Sequence, residues 1–441
     1  MILTAGYINA QDYFISFTGT GASTTVESVK IENITQGTEK TISGGDVLHL
    51  VSVVTGIDQA AGESGNKVIF SPNPVNKNTR MKFSLPSPGE TAITVYDISG
   101  RKIFGKQDDL SGGEHSYSIE GFDRGIYFVT ISTGKYTVSG RLISNESNDG
   151  KIRLTYENTM SIDKKTNESK GSQSEVVMQY NTNDRLIITA TGGESISTVS
   201  YIPSSNNTIT FEFYPCKDKD NNVYPTVKIG TQTWMATNLK TTKFNNGDPI
   251  PLVTDNAAWM AIRYEPAYCW YNNDESTYKN IFGALYNFWV VSPGNLCPTG
   301  WHVPTFDEFY TLETYLIKNG YNYDVSVVGN GVGKSLASTA MIFLNPPPST
   351  PSIYWEFTLD DGCVGNTDFP LKRNATGFSA MPSGFRGNGF SGINRKAYWW
   401  SSTEFDQVMG RYRDLQTDWE TLGGGYSYKW TGYSVRCLKD F

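Results

Sequence analysis

Through the first half of the chain, apolar and polar residues alternate in short runs, as in Ser28-Val29-Lys30-Ile31-Glu32 and Val47-Leu48-His49-Leu50-Val51. A period of two puts alternate side chains on one face, which predicts half-buried strands. Turn residues recur between the runs: Gly44-Gly45, Pro86-Ser87-Pro88-Gly89, Ser99-Gly100, Gly112-Gly113 and Gly192-Gly193. That spacing predicts β-sandwich modules and not alternating strands and helices. Further strand-like runs stand at Lys151–Tyr156, Arg185–Ala190 and Thr208–Phe213, around a Lys-, Ser- and Glu-rich stretch from Asp163 to Glu175 that reads as a loop or linker.

The pattern changes near residue 214. Thr305 is an N-cap candidate with Glu308 three residues on, Phe309, Leu312 and Leu316 recur at helical spacing, and Asn319-Gly320 closes the run, so a helix is predicted. A second helix is suggested where Ile281, Leu285, Phe288 and Trp289 fall on one stripe, with Gly283 weakening it. Breakers such as Asn246-Gly247, Pro346-Pro347-Pro348, Gly387-Asn388-Gly389 and Gly423-Gly424-Gly425 mark the rest as loop.

Composition sharpens this division. All ten tryptophans and all five cysteines lie beyond residue 214. The 441 residues carry 37 basic and 44 acidic groups, a net charge of -7, so the generally basic surface that holds nucleic acid is absent. Three histidines leave little for histidine-based catalysis or a multi-histidine metal site. No apolar run reaches the roughly 18 to 20 residues that span a bilayer. Residues 1–11 (MILTAGYINAQ) read as the remnant of a secretory signal, a short apolar piece followed by small residues.

Residues 66–144 contain Val68-Ile69-Phe70-Ser71-Pro72-Asn73-Pro74, Ile93-Thr94-Val95-Tyr96-Asp97-Ile98-Ser99-Gly100-Arg101 and Gly125-Ile126-Tyr127-Phe128-Val129-Thr130-Ile131. The series resembles the type A sorting domain of the type IX secretion system, a small β-sandwich. That family's signal stands at a protein's C-terminus, whereas residues 145–441 follow here, so the module is read as a structural reuse of the fold. The resemblance still points to an exported bacterial protein of the Bacteroidetes type.

The last half contains, in order, Val227-Lys228-Ile229-Gly230-Thr231-Gln232-Thr233-Trp234-Met235-Ala236-Thr237-Asn238-Leu239, Tyr268-Cys269-Trp270-Tyr271-Asn272-Asn273-Asp274, Gly283-Ala284-Leu285-Tyr286-Asn287, Cys297-Pro298-Thr299-Gly300-Trp301-His302-Val303-Pro304-Thr305, Trp399-Trp400-Ser401-Ser402-Thr403-Glu404 and Tyr433-Ser434-Val435-Arg436-Cys437. This series resembles the Fibrobacter succinogenes major paralogous domain. Its W-H-V-P-T and S-V-R-C segments are similar to parts of C-type-lectin-like and formylglycine-generating-enzyme-like domains, which implies an α+β fold with long Trp-lined loops. The lectin resemblance implies a Cys297–Cys437 disulfide. Five cysteines leave at least one unpaired, and Cys269 has Cys216 or Cys363 as an alternative partner.

Trp399 and Trp400, followed by polar residues to Glu404, are candidate sugar-stacking groups, of which a strand can turn at most one to solvent. Arg386, Arg411 and Arg413, with Asp414, Asp418 and Glu420, would supply a polar rim. Asp218, Asp220 and Asn222 form a weak calcium candidate, since Ile229 stands where a calcium loop needs its bidentate Glu; the turn reading is preferred. For catalysis, the paired cysteines of formylglycine-generating enzymes are missing, and His49, His115 and His302 fall in separate segments.

The resulting expectation is a multidomain protein. A signal remnant (1–11), a small β-domain (12–65), the sorting-type β-sandwich (66–144) and another small β-domain (145–213) precede an α+β, C-type-lectin-like terminal domain (214–441). It is expected outside the cell or on its surface, binding a glycan or a surface protein without cofactor or catalysis. A structural envelope component is the first alternative, and a formylglycine-generating-enzyme-like or glycan-active enzyme the second.

Overall fold

The computed structural model describes residues 12–52, 68–144 apart from positions 72, 74, 76, 86, 87, 98–100, 134 and 135, then 151–157, 174–339 and 355–440. The signal-like residues 1–11, most of the polar linker and the Pro346–Pro348 run lie outside the described residues. Strands dominate and form several sheets.

Two small β-domains are expected over 12–65 and 145–213, but the described strands of 13–52 and 175–213 are halves of one sandwich. Strand Tyr13–Gly21 pairs in parallel with Asn207–Phe213, and Ser28–Asn33 pairs antiparallel with Leu186–Gly192. Ile15, Phe17, Ile31, Leu48, Ile188, Phe211 and Phe213 fill the space between the layers. Alternation named the strands but held no information on these partners, which are separated by more than 150 positions in the chain.

The expected boundary near 214 is also crossed. Strand Ser195–Tyr201 uses its outer edge to pair in parallel with Pro225–Ile229, at Ile196↔Pro225, Ser197↔Thr226 and Thr198↔Val227. One eight-stranded sheet therefore runs from Thr38–Ser43 in the sandwich to Trp301–His302 in the terminal region. Residues 1–54 and 171–441 accordingly form one compact unit.

Residues 55–170 form the second unit. It consists of two four-stranded sheets enclosing Met81, Phe83, Ile93, Val95, Ile119, Val129 and Ile131. Strand Arg153–Glu157 pairs with Gly113–Glu120, so the module extends past the end at 144 read from the sequence.

In the terminal region, helix Phe306–Lys318 carries the expected capping box. The Thr305 side chain accepts from the Glu308 amide, and the Glu308 carboxylate accepts from the Thr305 amide at 2.8 Å. Phe309, Leu312 and Leu316 face the core. The second predicted helix breaks. Helix Glu275–Phe282 stops at Gly283, strand Leu285–Tyr286 follows, and a short helix Phe288–Val291 comes after it. Gly283 has φ +72°, and a Cβ there would stand 2.5 Å from the Leu239 carbonyl oxygen, so the chain must turn where the stripe continues.

His302 ties this helix to the C-terminal segment. Its ring nitrogens stand 2.6 Å from Asp440 and 2.9 Å from Glu308. Burial alone would lower its pKa, but hydrogen bonds to Asp440 and Glu308 outweigh burial and carry it above the ordinary 6.5. A raised folded-state value means that stability is fully present below pH 6.5 and lost as pH rises through that higher value. The wild-type protein should therefore lose stability in urea titrations as the pH is raised above 6.5. His302→Gln should flatten that slope, and equal slopes in both proteins would count against the ion pairs.

Candidate functional site

The central strand of the five-stranded terminal sheet, Lys396–Glu404, carries both candidate tryptophans, and both are fully buried. Trp399 lies in a core with Trp234, Phe309, Leu312 and Trp355, while Trp400 lies in another with Tyr286, Phe288 and Tyr433. Successive side chains do point to opposite faces, but both faces are covered, so neither indole can stack on a ligand. Their ring nitrogens donate inside the protein, Trp399 to Asn238 Oδ1 at 2.9 Å and Trp400 to the Tyr286 carbonyl at 2.8 Å.

Two of the three arginines are interior as well. Arg386 donates to the carbonyls of Val253, Thr254 and Asp255, its guanidinium 4.3 Å from the Trp259 ring centre. Arg413 pairs with Glu313 of the helix and donates to the Leu422 carbonyl at 2.9 Å. Both hold loops and sheet in place. Arg436 of the S-V-R-C run is buried against Phe378 and donates to Asn238 Oδ1, and burial pushes its pKa down to about 9. Asp414 is buried and its carboxyl pKa is raised by that burial.

The calcium candidate closes a turn. Asp218 accepts from the amides of Asp220 and Asn222, from Asn222 Nδ2 at 2.8 Å and from the Tyr224 hydroxyl at 2.5 Å. Asp220 turns instead to the Thr242 amide and to Lys243, 3.1 Å away. The carboxylates thus serve different partners instead of meeting at one point. Cys297 and Cys437 are joined, their Cα atoms 6.0 Å apart. Cys269 pairs with neither alternative; Cys216, Cys269 and Cys363 are free and buried, and burial raises the thiol pKa of Cys269 and of Cys363 to about 11. Protonated, buried thiols are poor nucleophiles.

Arg411 and Glu404 reach the surface, and they do so together. Strand Met409–Gln416 pairs with the edge strand Gly423–Tyr428, placing Arg411 opposite Tyr426 and Met409 opposite Tyr428. Helix Phe306–Lys318 covers the neighbouring stretch of this face at Arg413 but leaves its far end open. Tyr426 and Tyr428 are 54% and 55% exposed and share a face at strand spacing. Phe405 stacks on Tyr426 with ring centres 4.1 Å apart and planes 11° from parallel, and Tyr428 stacks on Trp430 at 5.8 Å and 12°. The Arg411 guanidinium joins this ledge to the helix start, 5.3 Å from the Phe405 ring centre and 4.9 Å from that of Phe306. Glu404 pairs with Lys429 at 3.0 Å beneath it.

The sequence pattern does not single out the ledge residues other than Glu404 and Arg411, because the adjacent Trp399 and Trp400 are the stronger aromatic signal. Their signal was present: Tyr426, Tyr428 and Trp430 alternate with small and polar residues immediately after three glycines. A patch of rings with a guanidinium and a carboxylate can stack on apolar faces and bond hydroxyls, which is binding chemistry.

Residues 227–439 match the family model of the Fibrobacter succinogenes major domain, and residues 69–145 match that of the secretion system C-terminal sorting domain. The ledge and the disulfide both lie within the first match. The chain thus combines a Fibrobacter succinogenes major domain with a sorting domain, and the sorting domain indicates secretion to the cell surface or outside. No curated protein matches the chain. Among the described residues no helix is long and apolar enough to cross a membrane.

Proposed function

We propose that this exported protein is a surface receptor whose terminal domain binds a glycan and catalyses no reaction on it. The observation that carries the proposal is the exposed ledge of Phe405, Tyr426 and Tyr428 beside Arg411, backed by the half-buried Trp430. Sugar rings present apolar C–H faces that lie well on exposed aromatic planes, while a guanidinium, a carboxylate and phenol hydroxyls bond the ring hydroxyls. The combination of a capped helix and a disulfide that ties the segment before it to the residue preceding the last strand supports a C-type-lectin-like reading of the domain. Binding without catalysis is favoured by the state of the acidic groups, since Glu404 is paired with Lys429 and Asp414 is buried beside Gln416.

A glycan array with the full chain tests this. Saturable binding to a defined set of glycans is expected, with Tyr426→Ala and Tyr428→Ala each weakening it by roughly tenfold. Both side chains are exposed, so the variants should unfold as the wild type does. A flat array, or binding indifferent to both substitutions, would overturn the proposal, the flat array in favour of a structural envelope component.

A further inference from the structure

The sheet that joins the sandwich to the terminal domain forks. Strands Ser195–Tyr201 and Pro225–Ile229 share the three register positions Ile196–Thr198 with Pro225–Val227. Beyond them the first strand stays with Leu186–Gly192 and the second follows Gln232–Met235. The fork opens into a cleft of about 370 Å³, at the small end of the roughly 300–1,000 Å³ typical of small-molecule sites.

Most hydroxyls lining it are already engaged. Thr226 donates to the Ile196 carbonyl at 3.1 Å, Thr198 bonds Thr189 at 3.1 Å, and Thr376 donates to the Ser335 carbonyl at 2.8 Å. Ser197 and Thr233 differ. They are 6% and 9% exposed, they line the cleft, and neither hydroxyl has a hydrogen-bond partner among the described residues. Both oxygens keep contact with solvent in the cleft, so water serves them there and a ligand hydroxyl can take its place.

The walls define what that is. Tyr315 and Tyr321 stand with ring centres 6.5 Å apart, and Tyr315 lies on Gly230, where a Cβ would come within 2.7 Å of its ring. At the rim Glu212 and Lys228 pair at 3.0 Å and cancel each other's charge, with the Tyr214 hydroxyl donating to Glu212 at 3.0 Å. Hydroxyl-bonding groups, aromatic walls and no net charge match a neutral, polyhydroxylated ring with one apolar face.

We infer that the fork cleft is a second binding site, which takes a single neutral sugar unit between the sandwich and the terminal domain. It shares no residue with the aromatic ledge and does not depend on the ledge binding anything. The sugar bonds Ser197 and Thr233 and rests against Tyr315 or Tyr321. It touches strand 195–201 on one side and strand 225–229 with helix 306–318 on the other, so occupancy also raises the unfolding temperature of the unit formed by residues 1–54 and 171–441.

Calorimetry or saturation-transfer NMR on the full chain tests this with the methyl glycosides of glucose, galactose, mannose and N-acetylglucosamine, and with disaccharides ending in each. At least one probe should bind saturably. Better binding of a glycoside marks a free sugar, and better binding of a disaccharide marks a chain end. The Ser197→Ala, Thr233→Val double variant should weaken binding by about tenfold, while Tyr426→Ala leaves it unchanged. Neither removed hydroxyl has a partner among the described residues, so the variant should keep the wild-type unfolding temperature without sugar. If it does not, Ser197→Ala alone should weaken binding by about fivefold. No binding by any probe, binding that survives these substitutions, or binding lost in Tyr426→Ala would each overturn the assignment.

Discussion

Replacing Cys437 by alanine should destabilise the terminal domain by as much as about 5 kcal/mol, the chain-entropy value for a closed loop of 140 residues. The bond joins the segment leading into helix Phe306–Lys318 to the last strand, Leu438–Lys439. That strand is held by one register pair to Gln232–Met235 and two to Trp301–His302. So short a strand has few ladder bonds of its own, and Cys437 lies in the same core as Trp400 and Tyr433. The effect should appear as an earlier guanidinium midpoint followed by tryptophan fluorescence, and reduction of the wild type should reproduce it. Cys297→Ala should match Cys437→Ala, and the double variant should add little to either, because all three open the same loop. A loss under about 1 kcal/mol would show that the crosslink contributes little constraint. An exported protein keeps such a bond oxidised, and the sorting-domain match indicates that this one is exported.

Trp400→Ala should cost about 3–5 kcal/mol, the usual penalty for truncating a large buried aromatic. Its indole meets Phe288 nearly edge-on, with ring centres 5.3 Å apart, and packs 4.6 Å from Tyr433. Its ring nitrogen satisfies the Tyr286 carbonyl. Removal leaves a cavity where both sheet faces are closed. Urea midpoints should show the loss, whereas Phe405→Ala on the exposed ledge should leave the midpoint close to wild type. The sequence reading assigns Trp400 to ligand contact, which would instead give a stable variant with weakened binding. A small stability loss in Trp400→Ala would favour that reading over the buried one.

The contrast between Trp400 and Phe405 shows where sequence reasoning stops. A Trp-Trp pair on a strand looks the same whether one face or both are covered, because burial of the second face comes from helix 306–318 and loops far along the chain. Arg386 and Arg413 fail for the same reason. Their charge suggests a rim, yet Arg386 spans loop carbonyls and Arg413 meets a helix carboxylate, partners that no local pattern names. The aromatics at 426, 428 and 430 are legible as an alternating run, but only the edge position of strand 423–428 leaves Tyr426 and Tyr428 uncovered, while Trp430 packs against the core.

What the sequence by itself determined is local. The capping box and apolar spacing of helix 306–318, the alternation of the strands and the turn at Asp218 depend on residues within a few positions of one another, where backbone geometry and short-range hydrogen bonds decide. The long ordered motifs also pointed to both families, and the lectin resemblance pointed to the disulfide pair. Only the tertiary structure decided that strands 13–21 and 207–213 lie side by side, that one sheet crosses from the sandwich into the terminal domain and forks there, and which aromatics are covered. Strand edges pair through backbone groups that every residue shares, so the choice of partner depends on how distant faces pack together.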